Sequence, residues 1–308
     1  MEPIFRIPLG DWVEVGLDWL INTLDSVFVF FRAVFVGAYD SLDWLLTAPP
    51  YWVVIVVFAA IAWWASGWKL GVGTLVSFAV IVGVNQWDNA MHSLALVAIG
   101  TIVAVVISVP LGIWAARSDR ASSIIRPVLD FMQTMPAMVY LIPALAMFRV
   151  GVVPGIIATI IFAMAPGVRF TELGIRGVDK EVVEAGHAFG SSPARILFQI
   201  QLPLARPTIM AGINQVIMLS LSMVVIAGMV GAPGLGAEIV QALNRIDAGK
   251  GFEAGIAVVI VAIFLDRVTA SFGTNSTRKT NKADKADKTG KTAKTNKASK
   301  TDNVGAAA

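Results

Sequence analysis

Charged residues are scarce in this 308-residue chain, at 15% of its residues against about a quarter in an ordinary soluble domain. Cysteine is absent, and histidine occurs only at His92 and His187. These absences exclude a structural disulfide, a thiolate metal site and a cysteine nucleophile, and they argue against a multi-histidine metal centre. Hydrophobic residues make up 56% of the chain and come in long blocks separated by short charged clusters. The composition predicts a polytopic membrane protein.

The net charge of +3 originates in the C-terminal segment. Residues 273–308 carry nine Lys/Arg and three Asp, whereas the rest of the chain carries 15 basic and 18 acidic side chains. The basic pI of about 9.2 therefore gives no reason to invoke nucleic acid as a partner. We expect residues 273–308 to form a disordered Lys-rich cytoplasmic tail, because the segment contains almost no large apolar side chain.

Seven apolar stretches are candidates for membrane spans. They cover residues 51–66, 70–86, 93–116, 124–148, 152–172, 206–230 and 252–272. The first two are short and form either two thin spans or one span and an interfacial piece; we assign residues 51–90 to peripheral spans and 91–272 to a core transmembrane domain. Most basic residues outside the tail fall in or beside the loops that share a side with the C-terminus. The positive-inside rule then predicts a cytoplasmic C-terminus and an extracytoplasmic N-terminus.

Residues 1–50 have the pattern of an amphipathic helix with an acidic stripe. The polar residues at helical spacing are Asp11, Glu14, Asp18, Asn22 and Asp25, and Trp12, Val15, Trp19, Leu20 and Leu24 occupy the other faces. The anionic inner leaflet would repel such a stripe, so we place this segment on the extracytoplasmic side. It is either a docking or regulatory surface or an interfacial helix packed on the bundle.

The loop at residues 173–205 contains the most informative local pattern. Gly190 is expected to end a first short helix with a positive φ. Ser192 and Pro193 have the pattern of an N-cap and first helical position, so they predict a second helix. We expect Leu202-Pro203 to end that helix. Two short helices about a glycine would project from the membrane in a shape that a partner's groove can bind.

Seven residues of this loop carry a recognisable motif: Glu184, Ala185, Gly186, Gly190, Ile200, Leu202 and Pro203. Their order and spacing resemble the EAA loop of permease subunits of ABC importers, in which Glu-Ala-Ala is followed by three residues, Gly, nine residues and Ile-x-Leu-Pro. Gly186 stands where the pattern has its second Ala. The resemblance implies that these residues form the contact with an ATPase subunit.

Wider segments narrow the resemblance. VPLGIWAARSDR, IIRPVLDFMQTMPAMVYLIP and QLPLARPTIMAGINQVIMLSLSMVVIAGMV are similar to permeases of glycine betaine/proline betaine uptake systems. The resemblance implies an all-α type I ABC importer fold in a bacterial inner membrane. It also implies four kinds of partner, namely a second copy of this chain, two ABC ATPase subunits, an extracytoplasmic substrate-binding protein and the lipid bilayer. No cofactor is then expected on this chain, because ATP and Mg would be bound by the ATPase.

Polar residues within the predicted fourth span are candidates for the substrate pathway. Asp130, Gln133, Thr134, Pro136 and Tyr140 lie on or near a segment that proline is expected to break. The alternative is that these side chains only make hydrogen bonds between helices.

Two other classes of function were weighed against the permease. An intramembrane enzyme needs a nucleophile or an acid/base pair, and the predicted spans offer no such set. A secondary transporter or channel is the remote alternative, and the internal repeat typical of secondary transporters is not evident. Within the permease class, choline, carnitine and ectoine remain possible substrates beside glycine betaine and proline betaine.

Overall fold

The computed structural model describes residues 8–271, and every regular element in this part of the chain is helical. The N-terminal seven residues and the Lys-rich tail at 273–308 lie outside the described residues, so the expectation for the tail stays a prediction. The helices are α1 Leu9–Thr47, α2 Tyr51–Ser66, α3 Trp68–Gly83, α4 Trp87–Arg117, α5 Asp119–Thr134, α6 Leu141–Phe148, α7 Val152–Arg176, α8 Lys180–Ala188, α9 Pro193–Ile196, α10 Leu202–Met229, α11 Leu235–Arg245 and α12 Ala248–Ser271. A 3₁₀ turn, Ala137–Tyr140, precedes α6, and a π-helical turn, Leu197–Gln201, joins α9 to α10.

Five of these helices are long and apolar enough to cross a membrane: α1, α4, α7, the continuous helix Pro193–Met229 and α12. A sixth candidate is the pair formed by α5 and Ala137–Phe148, which is bent by 105° at its break. The predicted stretches at 51–66 and 70–86 correspond to α2 and α3, each 16 residues long and thus shorter than the roughly 20 residues that a full span needs. The predicted span 124–148 is a broken one, and α1, which was not counted among the seven stretches, passes the length and hydropathy test.

Helix α7 lies at the centre of the bundle and packs against α4 on one side and α10 on the other. Small residues allow the helices to approach closely. A Cβ on Gly112 of α4 would lie 2.7 Å from the carbonyl oxygen of Val168, and one on Gly155 of α7 would lie 2.6 Å from Cβ of Ala227. These glycine contacts fix α4, α7 and α10 as one packed unit.

A second packed region joins α2 and α3 to α12. Its centre is three aromatic rings, with centroid distances of 5.3 Å between Phe58 and Phe78, 5.1 Å between Phe58 and Phe264 and 5.2 Å between Phe78 and Phe264. Edge-to-face and tilted contacts of this kind add to the stability gained from burial. The two short helices are therefore packed against the last helix of the described chain.

Helix α1 has two halves with different surroundings. At Leu24 the backbone leaves helical geometry, with φ −112° and ψ 19°; most of the residues described before this kink are exposed and none is buried. After the kink, the ring of Phe28 contacts that of Phe148 at the end of α6, and Asp43 bonds to His92 in the second turn of α4 at 2.6 Å. Both contacts lie at the same end of the bundle, although about 22 Å of helix separates them. The second half of α1 thus lies across that end of the bundle, despite being apolar enough to span.

Candidate functional site

Helix α8 begins and ends with the caps that its sequence specifies. Oδ1 of Asp179 accepts a hydrogen bond from the backbone N–H of Glu181 at 3.0 Å and caps the helix start. At the other end, the N–H of Gly190 donates to the carbonyl oxygen of His187 at 2.9 Å, and the N–H of Ser191 donates to that of Gly186 at 3.1 Å. This pair of bonds is a Schellman motif, and the φ of +74° at Gly190 is the left-handed conformation that the motif requires.

The helix that follows starts as the sequence predicts and then continues further than predicted. Oγ of Ser192 accepts from the backbone N–H of Arg195, and Pro193 occupies the first turn. The predicted stop at Leu202-Pro203 is wrong, because the chain is helical without interruption from Pro193 to Met229. The π-helical turn Leu197–Gln201 immediately precedes Pro203, and its wider turn adjusts the backbone where proline cannot donate a hydrogen bond.

The two loop helices pack on each other through Gly186. This residue is buried, and a Cβ there would lie 2.8 Å from Cδ1 of Ile200 and 3.4 Å from Cγ1 of Ile196. Beyond this contact, Leu197 packs in one cluster with Ile175 in the last turn of α7. The loop is thus attached to the transmembrane unit by an apolar contact rather than by its backbone alone.

Apart from Gly186 and Val183, the residues of α8 are open to solvent. Glu184 and Ala185 are exposed, Val182 is 41% exposed and Phe189 is 90% exposed. Of the seven motif residues, the structure brings Gly186 and Ile200 into contact, whereas Leu202 is half-buried and Pro203 is exposed on the following helix.

The predicted pathway residues lie around the break between α5 and α6. Asp130 forms an ion pair with Arg169 of α7, and Gln133 and Thr134 are exposed on the last turn of α5. Pro136 is the residue before the 3₁₀ turn, and the buried Tyr140 donates its hydroxyl proton to the carbonyl oxygen of Met132. Tyr140 thus holds the break together, while Asp130 lines an open cleft; their role in a pathway stays a prediction.

A polar cluster that sequence analysis missed lies where α4, α5 and α7 end or begin. Its centre is Glu172 of α7, which is 3% exposed. Oε1 of Glu172 accepts from Oγ of Ser122 at 2.7 Å and from Nη2 of Arg126 at 2.9 Å, and it pairs with Nε of Arg176 at 3.0 Å. Arg176 also pairs with Asp119 at 2.8 Å and donates to the carbonyl oxygen of Ala115 at 2.9 Å. The signal available in the sequence was a carboxylate inside an apolar stretch, four residues before an arginine.

A cleft of about 330 Å³ separates α5 from α7 beside this cluster. It is lined by Arg126, Asp130, Arg169, Glu172, Leu173 and Arg176. The cleft leaves room beside α5, in contrast to the filled contacts of α7 with α4 and α10. Among residues 8–271, no group of three or more His, Cys, Asp or Glu side chains is placed to hold a metal ion.

Comparison with known proteins assigns the chain to a family. Residues 108–282 match the family described as binding-protein-dependent transport system inner membrane component. The chain is 47% identical to the glycine betaine transport system permease protein OpuAB of Bacillus subtilis over 272 residues, which cover 87% of this chain and 95% of that protein. It is 48% identical to the glycine betaine/proline betaine transport system permease protein ProW of Escherichia coli, over 90% of this chain and 78% of the other.

The fold is that of a solved ABC importer. An inward-facing structure of the MetNI methionine ABC transporter superposes with a TM-score of 0.58 and 17% sequence identity, over 62% of this chain and 95% of the other. This chain belongs to the family of inner membrane components of binding-protein-dependent transport systems, and its core has the type I ABC importer fold.

Proposed function

We propose that this chain is the membrane-spanning permease subunit of an ABC importer for glycine betaine and proline betaine. The observation that carries the proposal is the exposed face of α8, with a Schellman turn at Gly190 and the motif spacing Glu184 to Pro203. The identity of 47–48% to two permeases named for glycine betaine supports the substrate class. Choline, carnitine and ectoine are the alternatives within the same class.

In this function the chain catalyses no reaction itself. ATP and Mg are bound and ATP is hydrolysed by two separate ATPase subunits, so the energy must enter this chain through a mechanical contact. We assign that contact to α8. Glu184 on this helix and Phe189 directly after it are exposed, and Gly186 packs against Ile196 and Ile200. A helix that docks in a groove is a recurring mode of contact between protein subunits.

The assembled importer contains two copies of this chain, two ATPase subunits and an extracytoplasmic substrate-binding protein in a bacterial inner membrane. Its N-terminus lies outside and its C-terminus in the cytoplasm, as the distribution of Lys and Arg favours. Because the chain has no cysteine, single cysteines at Ser26 and Ser299 report this orientation. An impermeant thiol reagent applied to intact cells should label the first and not the second; the reverse pattern would invert the topology.

The coupling role is tested by substitutions that leave the transmembrane unit untouched. Gly190→Asp should abolish uptake of labelled glycine betaine, because Asp must adopt a positive φ and places a charge beside the partner's groove. Glu184→Lys should reduce uptake less. Membrane levels should stay normal, while ATPase subunits are lost from the purified complex or hydrolysis no longer responds to loaded binding protein.

Glu181→Lys is the matched control, because Glu181 lies on the same helix and is exposed but stands outside the motif. It should retain most uptake. Wild-type uptake and normally stimulated hydrolysis in Gly190→Asp would contradict the assignment. The substrate is tested separately, by comparing uptake of labelled glycine betaine with that of labelled choline in vesicles that contain the complete importer; preferential choline uptake would move the chain to the alternative substrate.

A further inference from the structure

The buried carboxylate of Glu172 joins α5 to α7 in the buried part of their polar interface. Two side chains of α5 bind it: Oγ of Ser122 at 2.7 Å, and Arg126 with Nη2 at 2.9 Å and Nε at 3.3 Å. Two more exposed ion pairs, Asp119–Arg176 and Asp130–Arg169, join the same two helices. The apolar part of the same interface consists of Leu129, Ile125 and Met132 of α5, packed in one cluster with Ala165 and Val168 of α7. The 330 Å³ cleft lies between the helices beside the polar groups.

The same carboxylate lies next to the loop that carries α8. It pairs with Arg176, the last residue of α7, and Ile175 packs with Leu197 of the π-helical turn. Leu197 directly follows Ile196, which together with Ile200 lies against Gly186 of α8. A continuous series of contacts therefore runs from α8 through the last turn of α7 to α5.

Helix α5 is the first half of the broken span, whose second half is Ala137–Phe148. Asp130, Gln133 and Thr134 lie on its last two turns, directly before the 105° bend. Helix α7, by contrast, is packed so closely on α4 and α10 that a Cβ on Gly112, Gly155 or Gly167 would lie less than 3 Å from an atom of the neighbouring helix. Of these three neighbours of α7, α5 is the one that faces an open cleft and is joined to α7 by several ion pairs, within the part of the chain that the structure describes.

We propose that Glu172 is a positioning residue that transmits the movement of α8 to α5, with Ser122 and Arg126 as its two contacts on α5. Displacement of α8 by the ATPase shifts the last turn of α7, and Glu172 carries α5 and the broken segment with it. The inference rests on the proposed function, because it takes α8 as the site at which force enters. It assigns a role to Glu172 that touches neither the ATPase nor the substrate.

The test distinguishes loss of the attachment between α5 and α7 from loss of assembly with the ATPase subunits. Glu172→Gln retains the size of the side chain and its bond with Ser122 but removes the charge that holds Arg126. In proteoliposomes containing the complete importer and its binding protein, uptake of glycine betaine should fall by about tenfold or more, within the usual range of coupling between sites. ATPase subunits should stay bound at wild-type stoichiometry, because the exposed face of α8 is unchanged.

Distances between spin labels show whether movement is transmitted. Because the chain has no cysteine, a single cysteine at Lys180 of α8 or at Ile124 of α5, both exposed, gives one distance between the two copies of the chain. In the wild-type background both distances should change when the ATPase is trapped with vanadate. In Glu172→Gln the Lys180 distance should still change, whereas the Ile124 distance should not.

A matched pair on α5 covers the case in which Glu172→Gln does not fold. Arg126→Gln removes the charged group that donates two hydrogen bonds to Glu172, from a side chain that is 58% exposed. Arg120→Gln removes the same charge from the same helix at an exposed position that does not contact Glu172. Uptake should fall in the first variant and not in the second, and Arg126→Lys should restore part of it.

Normal uptake in both Glu172→Gln and Arg126→Gln, or equal loss in Arg126→Gln and Arg120→Gln, overturns the inference. If the wild-type Lys180 distance does not respond to vanadate, the assignment of α8 has failed, and the inference fails with it.

Discussion

Helix α7 has two interfaces of different kinds: it packs closely against α4 and α10, and it is joined to α5 by several polar groups. Toward α4 and α10 it is packed through small residues, so that a methyl group on Gly112, Gly155 or Gly167 would meet a neighbour at less than 3 Å. Toward α5 it is joined by the buried carboxylate of Glu172, which binds Ser122 and Arg126, and by two ion pairs, Arg176–Asp119 and Arg169–Asp130, beside an open cleft. Packed apolar interfaces are not continuously deformable, whereas polar bonds beside a cleft can exchange. The first interface makes α4, α7 and α10 one packed unit, and the second attaches α5 to that unit through polar groups that can be removed one at a time.

The largest expected effect comes from adding one carbon to the packed interface. Gly112→Ala places a Cβ 2.5 Å from Cβ of Thr171 and 2.7 Å from the backbone oxygen of Val168, so a backbone must shift. We expect a loss of about 3 kcal/mol or more in the free energy of unfolding, at the upper end for overpacking. The measurement is denaturant unfolding of the purified chain in detergent.

Gly73→Ala is the control, since a Cβ at this position of α3 meets nothing within 4 Å. The same substitution should there be neutral or stabilise the protein by up to about 1 kcal/mol through helix propensity. Equal effects of the two substitutions would remove the distinction between packed and open glycines.

Substitutions in the polar interface between α5 and α7 should cost less stability than Gly112→Ala, and the cost should differ between Glu172 and Asp130. Glu172→Ala should cost about 2 kcal/mol, because it removes hydrogen bonds made to a charged group while Arg126 can turn to water and Arg176 keeps Asp119. Asp130→Ala should cost at most about 1 kcal/mol, since its ion pair with Arg169 is exposed, with 62% of the Asp130 side chain accessible.

Salt provides the second measurement for this pair. Raising ionic strength should weaken the contribution of Asp130 and leave that of Glu172 nearly unchanged, because buried pairs are screened little. If both variants lose stability equally and with the same salt dependence, Glu172 behaves as a surface residue, and the contrast within the polar interface is wrong.

A smaller effect is expected at Gly190, where space is available but the backbone is constrained. Nothing lies within 4 Å of a Cβ there, yet φ is +74°. Gly190→Ala should therefore cost about 1 kcal/mol from the left-handed conformation alone. Because the cost is local to α8, the measurement is hydrogen exchange of the α8 amides, with Gly190→Asn as the control that tolerates this conformation better. An unchanged exchange rate in Gly190→Ala would mean that the turn is not strained.

Helix-capping rules that depend on neighbouring residues predicted the turn and the N-cap in the loop at 173–205. The polar cluster around Glu172 depends on contacts between distant parts of the chain. The positive φ at Gly190 and the N-cap at Ser192 are each set by a few neighbouring residues, and the structure confirms both. The predicted stop at Leu202-Pro203 failed because a π-helical turn accommodates the proline, which no rule for a standard helix anticipates. The Glu172 cluster joins residues 46 and 50 positions apart, so its geometry could not be read from the sequence.

The smallest expected effect is at Gly186, where the sequence departs from the Glu-Ala-Ala pattern that it otherwise resembles. A Cβ at this position would lie 2.8 Å from Cδ1 of Ile200, the flexible end of a side chain, rather than against a backbone. Gly186→Ala should gain up to about 1 kcal/mol of helix propensity in α8 and lose most of it to this contact, leaving protection of the α8 amides almost unchanged. Ile200→Val removes the methyl group concerned, so in that background Gly186→Ala should increase protection. The difference between the two backgrounds measures the coupling of the two residues.

Uptake should persist in all three variants, because a packed α8 is what the contact with the ATPase requires. If Gly186→Ala loosens α8 equally in both backgrounds, Ile200 is not the residue that makes room for glycine, and the close approach of α8 to the π-helical turn lies elsewhere.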